Sequence, residues 1–78
     1  MNGYREPTLN EMQAVIEDHW KRHCKAYHRE LVKDGSLDEA ARAKAEQTQS
    51  EAEVLQSGGM QPAEAWSQAQ REIALALI

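Results

Sequence analysis

Between Thr8 and Asp34, apolar side chains return every three or four positions at Leu9, Met12, Ile16, Trp20, Tyr27 and Leu31, with His23 standing in the one gap. At 3.6 residues per turn this spacing lines them along one face of a helix, while Asp18, Lys21, Arg22, Lys25 and Arg29 fall on the other. The steps average about 3.7, closer to an ordinary straight helix than to a 3.5 heptad. The pattern therefore predicts one unbroken helix over residues 9–34, roughly 40 Å long at 1.5 Å per residue. Thr8 and Glu11 have the spacing of a reciprocal cap at its start. Gly35 supplies the left-handed position that ends many helices.

Ser36 and Glu39 repeat the capping pattern immediately, so only about two residues separate the first helix from the next, and the two are expected to fold back antiparallel. The second helix, over residues 37–56, turns Leu37, Ala41, Ala45, Thr48, Ala52 and Leu55 to one side. Glu39, Arg42, Glu46 and Glu53 point outward, with Arg42 and Glu46 spaced as a helical ion pair. Gly58 and Gly59 close it, and Pro62 opens a third helix at a position where a proline loses no hydrogen bond. That helix, over residues 62–77, sets Ala65, Trp66, Ala69, Ile73, Ala76 and Leu77 on one face. Leu75 and Ile78 fall on the opposite face, where a lone bundle would leave them wet.

The expected fold class is all-α: three helices, an antiparallel hairpin plus a C-terminal helix, with a long first helix overhanging the others. Residues 1–7, containing Asn2, Gly3 and Pro7, read as a loose tail, and residues 8–78 as a single helical domain.

Composition sharpens the picture at one point. The 78 residues include twelve alanines and no phenylalanine, and the aromatics are Tyr4, Trp20, Tyr27 and Trp66. Small side chains bury little apolar area against the entropy of ordering the chain, so a partner is expected. The net charge of -4 is uneven: residues 19–34 carry five Lys or Arg against two acids, while the segments on either side are acidic. An acidic total speaks against a general nucleic-acid binder.

Cys24 stands alone, so no intrachain disulfide is available and the redox compartment is not signalled; a reducing cytoplasm is the default expectation. No apolar run approaches the length of a membrane span.

Candidate chemistry is sparse. His19 and His23 lie one turn apart, a spacing that can share a metal, and Glu30 lies two turns beyond His23. No His-Glu-x-x-His or Cys-x-x-Cys accompanies them, and the plainer reading sets the histidines at the edge of the core or of an interface. Cys24 and His28 are also one turn apart, near Lys21 and Lys25, but no third catalytic member follows. Lys21, Arg22, Lys25, Arg29 and Lys33 form a basic ridge that suits either solvent or a polyanion.

The expected function is that of a small non-enzymatic interaction or regulatory protein, without cofactor, working as a homodimer or higher oligomer. Its interface is expected to draw on Trp20, Tyr27, Leu31, Trp66, Ile73, Leu75, Leu77 and Ile78. The alternatives are a nucleic-acid accessory protein using the ridge and a histidine-based metal binder.

Overall fold

The computed structural model describes residues 4–76. Among them are four α-helices, α1 (Leu9–His23), α2 (Lys25–Asp34), α3 (Leu37–Ser57) and α4 (Pro62–Ala69), followed by a π-turn over Gln70–Ala74. The all-α class is as expected. Leu77 and Ile78 of the expected interface lie outside the described residues.

The start of α1 follows from its local chemistry. The Thr8 hydroxyl accepts the Glu11 N–H at 3.1 Å while the Glu11 carboxylate accepts the Thr8 N–H at 2.9 Å, so two amides with no partner inside the helix are satisfied. The same carboxylate holds the Arg5 guanidinium at 2.8 Å. Arg5 first, and then the Thr8 amide, hold the Glu11 carboxyl down from its ordinary 4.5 to about 2.

The long first helix is not a rod. At Cys24 the backbone takes φ -132° and ψ 57°, ending α1 and starting α2 at one residue. Its N–H donates to the Trp20 carbonyl at 2.8 Å and its carbonyl accepts the His28 N–H at 2.9 Å, so Cys24 closes one helix and opens the next.

The turn is sharp, as two bonds show. Gln13 donates to Asp38 at 2.5 Å, and Arg42 donates to Asn10 at 2.7 Å. Along a straight helix Asp34 would lie about 32 Å from Gln13, far beyond the reach of a side chain four residues further on. The chain must therefore turn through about a right angle or more at Cys24. The two bonds pair Asn10 with the later Arg42 and Gln13 with the earlier Asp38, so α3 runs antiparallel to α1 as expected, but in a register that sets its start near Gln13, whereas a straight first helix would set Gln13 beside its far end.

No proline or glycine stands within ten residues of Cys24. The local run His23-Cys24 and Tyr27-His28 consists of weak helix formers, so a straight helix there has little propensity to defend. Tertiary contact then decides. Trp20 and Tyr27, on opposite sides of the corner, meet edge to face at 5.1 Å.

The corner at Gly35 is as expected: φ is +73°, and the Ser36 N–H reaches back to the Leu31 carbonyl at 2.9 Å. Ser36 departs from expectation, since its side chain makes no capping bond. Arg42 does not pair with Glu46; its guanidinium goes to Asn10 across the helix interface.

The α1–α3 and α3–α4 interfaces are the most extensive. Their core contains Met12, Ile16, Trp20, Cys24, Ala41, Ala45, Ala52, Trp66, Ala69 and Ala74, with Leu9, Tyr27, Leu31, Leu37, Ala40 and Leu75 half-buried around it. Thr48 is fully buried but satisfied, its hydroxyl donating to the Lys44 carbonyl at 2.9 Å within α3.

The π-turn explains the C-terminal register. The Leu75 N–H donates to the Gln70 carbonyl at 2.7 Å, closing a loop one residue wider than an α-turn. In a regular α-helix Ala69 and Ala74 would point about 140° apart. Both are fully buried. The extra residue thus replaces Ile73 by Ala74 on the inner face and draws Leu75 against the core, where the regular pattern had set it in water. Ile73 is left half-buried.

Candidate functional site

The corner at Cys24 divides the basic ridge. Lys21 and Arg22 remain on α1, with Arg22 held by Asp18 at 3.0 Å. Lys25, Arg29 and Lys33 sit together on α2, all exposed and none within ion-pair distance of a carboxylate among the described residues. At 100° per residue the three fall opposite Tyr27 and Leu31, the side of α2 that packs on the core. Val32 lies among them and is 55% exposed.

The outer face of α3 has the opposite sign. Glu39, Glu46 and Glu53, seven residues apart, fall within about 40° of one another on the side away from buried Ala41, Ala45, Thr48 and Ala52. All three are exposed and unpaired among the described residues. Beside them runs a shallow groove of about 450 Å³ lined by Ala43, Glu46, Gln47, Ser50, Glu51 and Val54. Val54 is the most exposed large apolar side chain described, at 63%.

A second, polar depression of about 480 Å³ lies where α1 and α3 begin, lined by Asn10, Gln13, Ala14, Glu17, Asp38 and Arg42. Its polar groups largely satisfy one another: Gln13 bonds both Glu17 and Asp38, and Arg42 bonds Asn10. It acts as a clamp between two helix starts.

The histidines come together and the rest of the expected metal set does not. The His19 and His23 rings stand 5.1 Å apart, with Nε2 of His19 buried and without a hydrogen-bond partner. Glu30 is on α2, past the corner, exposed in a depression with Ala26, Arg29, Lys33 and Asp34. Among the described residues no group of three His, Cys, Asp or Glu is placed to hold a metal ion. Cys24 is buried, and the bond joining it to His28 is a backbone one.

The expected interface residues that are described pack largely within the chain. Trp20 and Trp66 are 1% and 2% exposed, so neither presents a surface to a second molecule. Tyr27, Leu31 and Leu75 are half-buried against the same core. Among the described residues, the large apolar side chains that remain exposed are Tyr4, Val15, Val32 and Val54. Val32 and Val54 were visible in the sequence as apolar residues opposite the core stripes of their helices, a signal overshadowed by the stronger stripe at the C-terminus. Among the described residues no helix is long and apolar enough to cross a membrane. No protein-family model, no curated protein and no solved structure matches this chain, so no residue inherits a role from a relative.

Proposed function

We propose that this is a small non-enzymatic interaction or regulatory protein that works as a homo-oligomer. The observation that carries the reading is the slightness of the core beside the apolar surface left outside it. The largest fully buried side chains are Trp20, Trp66, Met12, Ile16 and Thr48, and most of the other buried positions are alanines. Val15, Val32 and Val54 meanwhile remain 42%, 55% and 63% exposed. A chain near the lower size limit for an independent core gains stability whenever a partner covers such surface, because binding to the folded state alone shifts the folding equilibrium.

Sedimentation equilibrium from about 1 to 500 µM tests this, since weak and moderate self-association fall within that window. The expected result is a mass that rises with concentration, together with a melting temperature that rises with it. A monomer at every concentration refutes the reading.

A second reading rests on one observation, the three unpaired cations Lys25, Arg29 and Lys33 on one face of α2. It makes the protein a nucleic-acid accessory factor. Binding of short duplex DNA that disappears with moderate salt is its signature.

A further inference from the structure

We infer that the basic face of α2 docks on the acidic outer face of α3 in a second copy of this chain, which rests on the self-association reading above and gives it a surface. Each copy carries both halves of the contact. Exposed Val32 edges the face that carries Lys25, Arg29 and Lys33, while Glu46 lines a groove ending at exposed Val54, with exposed Glu53 next to Val54 in sequence. The two apolar residues are thus each set in charge of opposite sign, the arrangement that steers and orients an encounter.

The spacings agree. Lys25 and Lys33 are about 12 Å apart along α2, and Glu46 and Glu53 about 10.5 Å along α3, at 1.5 Å per residue. Running the two helices in the same direction brings Lys25 to Glu46, Lys33 to Glu53 and Val32 against Val54. Ala43 and Ser50, both small and exposed, line the groove between and let a helix approach closely. The two faces of one chain cannot meet each other, because both point away from the shared core.

A second copy suits these charges better than a nucleic acid. A second copy carries -4 as well, but unlike a polyanion it presents a basic patch along with its acidic face, so each acidic face has a basic face to meet. One ten-residue helix offers limited area, which makes the contact weak and salt-sensitive.

Complementary charge reversal tests this on the full chain. One variant carries Lys25→Glu and Arg29→Glu, the other Glu46→Lys and Glu53→Lys; all four positions are exposed, so folding should be little changed, and circular dichroism checks it. Each variant alone should self-associate at least about 10-fold more weakly than wild type in sedimentation, and an equimolar mixture should recover association through the swapped pairs. Val32→Ser with Val54→Ser should weaken wild-type association without changing its salt dependence.

Wild type that associates while both variants associate equally well overturns this surface and leaves the self-association reading standing. A mixture that recovers nothing also overturns it. A wild type that never associates removes both. If a 20-base-pair duplex binds at about 50 mM salt through Lys25 and Arg29 while self-association ignores their reversal, α2 serves a polyanion and the inference fails.

Discussion

The π-turn at Gln70–Ala74 makes an opposed pair of predictions. In a regular α-helix Ile73 would occupy the inner face and Ala74 the outer. Here Ala74 is fully buried and Ile73 half-buried. Enlarging Ala74 to Leu drives a branched side chain into a filled core, which costs about 1–3 kcal/mol. Truncating Ile73 to Ala removes only the part of the side chain that is covered, about half of the 2–5 kcal/mol typical of a buried site, so roughly 1–2 kcal/mol. Ile16→Ala, at a fully buried position, is the internal reference and should cost the whole 2–5 kcal/mol or so. A chain of this length holds on the order of 4–12 kcal/mol, so each effect is a measurable share. Urea titration followed by circular dichroism and tryptophan emission gives the three values, and about 2 kcal/mol should move the melting temperature by roughly 8–16 °C. If Ala74→Leu is neutral while Ile73→Ala costs as much as Ile16→Ala, the helix continues in α register and the π-turn is wrong.

Two further outcomes follow from other parts of the fold. Glu11, held down to about 2 by Arg5 and the Thr8 amide, binds its proton less readily folded than unfolded, so its contribution to stability is present above pH 4.5 and lost as pH falls toward 2; NMR titration should show Arg5→Ala raising its midpoint, and no movement would detach Arg5 from the cap. With Cys24→Ala as background, cysteines placed at Gln13 and Asp38 should be joined within one chain by a short bismaleimide, because the native side chains touch at 2.5 Å; failure to cross-link would restore the straight first helix, which holds them about 30 Å apart or more.

Much of the fold was legible because its signals are local. The Thr8–Glu11 box, the glycine at 35 and the proline at 62 each act through neighbours in sequence, and each stands where its chemistry places it. The corner at Cys24 was not legible, since Met12 to Leu31 keep an even helical period straight through it, and the bonds that go with the turn, between α3 and the start of α1, join residues far apart in sequence. The π-turn escaped for a related reason: whether Ile73 or Ala74 faces inward depends on how much room α3 and α1 leave, which no periodicity records. That one-residue shift is also what brings Leu75 against the core. The charged faces fared better, because exposure of Lys25, Arg29, Lys33, Glu46 and Glu53 is what their positions opposite the core stripes imply.

Six of the buried positions, Ala41, Ala45, Ala52, Ala65, Ala69 and Ala74, have already been reduced to a single methyl group. Scanning the chain with alanine would pass over them in silence, and the helix contacts they permit would go unrecorded. Their sensitivity runs the other way, toward any substitution that adds volume, so tolerance in this protein is limited by crowding more than by loss.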